Sequence, residues 1–113
     1  MSSTPLAASR NQLGGAWETA GMIRAAWISD PASSAVTPAC KDAKHPSLAA
    51  NTRGNIWAAW VEGSGWNRGG TVAWRELDAQ LKPAGERREA GRVPAWGKVA
   101  AYAEPGGDFV LLR

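Results

Sequence analysis

Asn55-Ile56-Trp57-Ala58-Ala59-Trp60-Val61-Glu62 decides how this chain is read. Side chains alternate across a strand, so Ile56, Ala58 and Trp60 share one face and Trp57, Ala59 and Val61 the other. Both faces are apolar. A strand at the wet surface of a sheet would alternate apolar with polar residues, so this one is expected to be covered on both sides. Its neighbours are also short. Pieces of five to eight residues rich in Val, Ile, Trp and Ala are bounded by Gly, Pro, Asn and Asp, and almost none carries a 3.6-residue apolar period. That pattern predicts many strands and no substantial helix.

The pieces recur in order. Gly15-Ala16-Trp17-Glu18 resembles Ala59-Trp60-Val61-Glu62, and Ile23–Asp30 resembles Thr71–Asp78. Pro46-Ser47-Leu48-Ala49-Ala50 with Gly54-Asn55-Ile56 resembles Gly97-Lys98-Val99-Ala100-Ala101 with Gly107-Asp108-Phe109. A repeat of forty-odd to fifty-odd residues with about four strands each is the arithmetic of a β-propeller blade. With strands A to D counted outward from the axis, 15–19, 22–29 and 35–39 are B, C and D of one blade. Residues 46–52, 55–62, 70–78 and 86–90 are A to D of the next, and 97–103 and 108–112 are A and B of a third. Small residues Ala49, Ala50, Ala100 and Ala101 fall in strand A, where blades crowd, and the charged run 85–92 falls at the outer strand D.

The expected fold is therefore all-β, a partial propeller of about two and a quarter blades over 14–113, with 1–13 disordered or irregular. A nine-strand sandwich or barrel is the competing all-β arrangement. Propellers close with typically about 4–8 blades. Either the chain belongs to a longer propeller, or further copies of itself complete the ring.

Composition narrows the function classes. The 113 residues are 44% apolar and 20% charged, enough for a core and unlike a disordered tail. No apolar run approaches the ~20 residues of a membrane-spanning helix. The net charge of +3 is spread among acids, as in Gly85-Glu86-Arg87-Arg88-Glu89, which argues for a solvated face and against nucleic acid. One Cys and one His exclude an internal disulfide and the usual Cys/His zinc site, and no cofactor motif is present.

Seven tryptophans raise the question of a sugar-binding surface. Trp17, Trp27, Trp60 and Trp74 occupy matching places in the repeat and are assigned to packing, as is Trp57. The best ligand candidate is the connection Glu62-Gly63-Ser64-Gly65-Trp66-Asn67-Arg68-Gly69-Gly70. It is longer than a turn requires, and its glycines let the backbone approach a ligand. Trp66 would offer a stacking face to a sugar ring, with Asn67, Arg68 and Glu62 supplying hydrogen bonds. The competing role for Trp66 is to cap the apolar end of the blade. Trp96, just before a strand A, is a further candidate. His45, ahead of Pro46, lacks an evident nucleophile and orienting acid and reads as structural. Cys40 reads as a free thiol, Gly106-Gly107 as a hairpin turn, and Tyr102 as a core strand residue.

The segment from Lys44-His45-Pro46 through Gly54–Trp74 to Val93-Pro94-Ala95-Trp96 resembles the C-terminal blades of sialidase-like β-propeller proteins of bacteria. The resemblance extends over roughly 14–112 and is most specific at Glu62–Gly70. It implies a propeller scaffold in a protein that is exported, periplasmic or extracellular. The Ser-x-Asp-x-Gly-x-Thr-Trp box of true sialidases is absent, as are their arginine triad and Tyr–Glu pair, so no catalytic residue carries over. The scaffold then implies a non-catalytic binding module, with carbohydrate as the expected ligand. A glycosidase whose catalytic residues lie in other blades, and a small lectin that closes its ring by oligomerising, are the alternatives. Gly63–Trp66 shares its Gly-x-Gly-Trp character with Trp-rich two-blade lectins.

Overall fold

The computed structural model describes residues 6–9, 12–19, 21–27, 34–37, 42–51, 53–63, 68–95, 97–104 and 106–112. Among them are ten strands and no helix. β1 (Leu6–Ser9), β2 (Gln12–Thr19), β3 (Met22–Trp27) and β4 (Ser34–Ala35) form a first sheet in sequence order. β5 (Ala43–Ala50), β6 (Ile56–Glu62), β7 (Gly70–Leu77) and β8 (Arg88–Val93) form a second. β9 (Ala100–Ala103) and β10 (Phe109–Leu112) form a third. Every pairing is antiparallel, as short connections between sequential strands dictate, and no sheet closes on itself.

β6 behaves as its alternation demands. Ile56, Ala58 and Trp60 are buried with Leu48, Ala73 and Leu77 against Ala16, Ile23, Ala25 and Val36 of the first sheet and its edge. Ala59 and Val61 are buried on the opposite face with Val72, Val93 and Val99, against Ala101 and Leu111. The second sheet is thus the middle layer of three. Leu81 closes its far end: fully buried in the first interface, it takes a left-handed backbone with φ 62°. The strain is held by a turn in which Asp78 Oδ1 accepts from the amides of Gln80 and Lys82 at 2.9 and 3.0 Å.

Polar contacts pin the layers together. Arg75 donates from Nη1 to the Val36 carbonyl at 2.9 Å and from Nε and Nη2 to that of Gly85. Trp27 Nε1 donates to the Ala79 carbonyl at 2.8 Å. On the other side Ser47 Oγ accepts from the Ala101 amide at 2.8 Å. Asn51 Nδ2 and Arg53 Nη2 donate to the Gly107 and Gly106 carbonyls, each at 2.9 Å. Gly107 has φ 98°, a left-handed backbone that favours glycine, and it lies against the Arg53 guanidinium.

Several sequence expectations are adjusted. The segment 1–13, expected irregular, includes β1 and the start of β2, so the first sheet has four strands where three were expected. β1 is only the four residues Leu6-Ala7-Ala8-Ser9, with little apolar signal of its own; pairing with β2 makes it a strand. The outer strand expected at 86–90 runs Arg88–Val93, because Asp78–Gly85 is taken up by the Leu81 turn and its backbone bonds to Glu76. Trp17 and Trp60 are equivalent, but Trp27 and Trp74 are not. Trp27 pairs with Gly14 and Trp74 with Ala59, which leaves them two residues out of step. Tyr102, expected in the core, is 42% exposed on the outer face of the third sheet.

Trp57 is the joint between the second and third sheets. Its ring stacks on Trp74 at 3.8 Å between centroids and on Phe109 at 4.5 Å, while Arg88 caps Trp74 at 5.9 Å. Such contacts contribute about 0.5–1.5 kcal/mol each beyond area burial. Trp57→Ala is expected to destabilise the protein by about 3 kcal/mol in urea unfolding. It should also speed amide exchange at Ala101 and Leu111, because the two-stranded third sheet loses its anchor.

Candidate functional site

One rim of the stack gathers the β2–β3 turn, the start of β5, the β6–β7 connection and the β8–β9 connection. The Ala43 amide donates to the Gly21 carbonyl at 2.8 Å, Ala43 pairs with Glu62, and Gly70 pairs with Val93. Gly69 lies so close to the Val93 carbonyl that any Cβ would collide with it. The long connection therefore returns tightly against the end of β8.

His45 is the unusual residue of this rim. Between the pairs Lys44–Val61 and Ser47–Ala59, His45 and Pro46 oppose Trp60 alone, forming a β-bulge. Proline fits there because a bulge releases its position from donating to the ladder. His45 takes a left-handed backbone with φ 53°. Its Nδ1 is buried with no hydrogen-bond partner among the described residues. Strain and an unsatisfied polar atom coincide in one side chain, which makes it a candidate site. Burial lowers the His45 pKa, with Lys98 and Lys44 adding to the shift and Glu18 opposing it. The imidazole is neutral near pH 7, so Nδ1 is a donor or an acceptor according to tautomer. Lys44 forms an exposed ion pair with Asp42 at 3.8 Å, which contributes little to stability.

The sequence candidates divide. Glu62 is committed within the fold: its carboxylate accepts Trp60 Nε1 at 2.7 Å and the Nε and Nη2 of Arg87. With its side chain only 10% exposed, it braces β6 against the start of β8 through a long-range partner that spacing along the chain does not reveal. Arg68 is exposed beside the rim. Trp66, Asn67 and Trp96 lie outside the described residues, as does Cys40. His45, read as structural, is the residue that the sequence undervalued. Its signal was a His-Pro pair at the entrance of a strand, the place where a bulge re-aims a side chain. Among the described residues no group of three or more His, Cys, Asp or Glu is assembled to hold a metal ion.

The lowered His45 pKa has a stability consequence with a definite sign. The unfolded state takes up the proton first as pH falls, so stability is complete above the ordinary value near 6.5 and declines below it toward the folded pKa. His45→Asn keeps a residue suited to the left-handed backbone and removes the titration. Denaturant unfolding between about pH 5 and 7 is expected to show a falling profile for the native protein and a flatter one for the variant.

Comparison with protein-family models, with curated proteins and with solved structures finds no match to this chain.

Proposed function

We propose that the chain is a segment of a sialidase-like β-propeller that acts as a non-catalytic binding module, with carbohydrate as its ligand. The propeller reading is supported by three antiparallel sheets stacked face to face in chain order, with first strand β5 packed against β1 and β9. The matching turns Asn51–Asn55 and Glu104–Asp108 close through the same pair of backbone bonds, as repeated blades would.

The observation that carries the ligand reading is His45. A strained, bulged residue whose buried Nδ1 has no partner among the described residues stands at the start of β5, flanked by Lys44 and Lys98. Sugar recognition needs polar groups held rigidly beside an aromatic face, and the sequence places Trp66 in the connection that borders this rim. Binding is favoured over catalysis because the titratable groups felt by His45 include Glu18 as their one described carboxylate, not a matched acid and base.

A glycan array followed by calorimetry on the best ligand tests the proposal. Binding without release of free sugar is expected. His45→Ala and Trp66→Ala should each weaken it by about tenfold or more, in line with one lost hydrogen bond or stacking contact. Hydrolysis of the bound glycan, or affinity unchanged in both variants, would overturn it.

A further inference from the structure

Among the described residues, the non-glycine positions with a left-handed backbone are Asp42, His45 and Leu81, at φ 49°, 53° and 62°. Leu81 is the buried plug of a bonded turn. Asp42 and His45 instead bracket Ala43 and Lys44, the first two residues of β5. Those two pair with Glu62 and Val61 ahead of the bulge, and pairing with β6 resumes at Ser47. Asp42–Pro46 is therefore a short arm, strained at two points and set off by the bulge from the rest of its strand.

Ala43 anchors the arm. It is fully buried in the first interface, and its amide donates to the Gly21 carbonyl at 2.8 Å. The Asp42 carbonyl accepts from the Gly63 amide at 3.3 Å, so the arm also fixes where the Glu62–Gly70 connection starts. At the bulge the arm is closed by His45, whose Nδ1 is buried with no partner among the described residues. Burial is the first obstacle to a proton on that ring, followed by Lys98, Lys44 and the amino terminus. The Ser47–Ala101 bond lays the start of β9 along β5, which brings Lys98 to the end that carries Lys44. Glu18 favours the proton from β2, where it pairs with Ile23 on the buried face of the first sheet. Arg24 alternates with the buried Ile23 and Ala25 and turns away, and β1 has no charged residue. Asp42 is paired with Lys44, and on β6 Glu62 is engaged by Arg87 and the Trp60 indole.

We infer that the Asp42–Pro46 arm is a proton-operated latch: protonation of His45 releases it from β6 and the first sheet while the central pairs of the second sheet stay closed. In the released arm the ring meets water and takes up a proton around its ordinary value near 6.5, whereas the closed arm accepts one only at lower pH. The latch is thus fully closed above that value and loosens as pH falls below it. Release frees the Gly63 amide and with it the start of the connection at the rim. The latch is a property of the chain itself and does not depend on a sugar ligand.

Amide hydrogen exchange read by NMR over about pH 5 to 7 tests the latch on the unaltered chain. After correction for intrinsic exchange, protection at Ala43 and Gly63 should lie well below that of the β6–β7 amides throughout. It should also fall several-fold with acid, in step with the titration of the imidazole, which is assignable because the chain has one histidine. In His45→Asn, which suits the left-handed backbone, protection of the arm should not change with pH. Arm protection equal to that of the β6–β7 amides would mean that the arm opens only with the whole protein, and would sink the inference. So would an arm whose protection ignores pH or departs from the imidazole titration, or acid loosening that persists in the variant. No sugar is present in these measurements, so their outcome and that of the ligand reading are separate.

Discussion

A sheet apolar on both faces cannot be stable in water with one of them open, and β6 imposes that condition on the whole chain. Ile56, Ala58 and Trp60 require a layer on one side, and Trp57, Ala59 and Val61 require a layer on the other. The first and third sheets are the answer to those two demands. The third has only β9 and β10, and an isolated two-stranded hairpin is marginal in water. It holds its place through Phe109 on Trp57, the Ala101–Ser47 bond, and the grip of Asn51 and Arg53 on its turn. Each of those partners belongs to the second sheet.

The same condition fixes the register of β5. Leu48 must face the first sheet and Ser47 the third, and a slip of one residue would exchange them. Ala43, near the start of the strand, is buried in the first interface as well. The bulge at His45 and Pro46 adds the extra residue that lets both ends of β5 keep their faces while opposing β6. Its cost is a left-handed backbone at His45 and a ring nitrogen without a partner among the described residues. The candidate site is thus a by-product of reconciling two buried faces along one strand, at the rim where the connections converge.

Much of this was legible in the sequence because strand alternation and turn residues are local signals. β6, β7, β9 and β10 lie where Val, Trp and Ala alternate between Gly, Pro and Asn clusters, and the covered faces of β6 follow from eight residues. β1 was not legible, since a four-residue strand becomes one only by pairing with β2. Nor was the start of β8, because Leu81 draws its turn into the core and displaces the charged run. At the site, spacing located the long connection but could not show that Glu62 is held by Arg87, 25 residues away. His45 was read as structural because neither its φ angle nor the burial of its Nδ1 leaves a mark in composition.

Trp17 and Trp60 show how far position, and not residue type, governs what a tryptophan does here. They occupy the same place in equivalent strands, Trp17 opposite Arg24 and Trp60 opposite Ala73. Trp60 is fully buried, with its indole N–H satisfied by Glu62. Trp17 is half-buried, and the residue two further on is Thr19, which offers no carboxylate. The indole ring is the same; the difference is whether a sheet lies over it. Trp27 and Trp74 argue the converse. Two residues out of step, they still point into their respective interfaces, one reaching the Ala79 carbonyl and the other stacking on Trp57. A large flat side chain can fill the space between two twisted sheets from either position. Tryptophan abundance in this chain is therefore first a consequence of stacking sheets face to face, and a ligand role must be argued from the rim residues that the stacking leaves over.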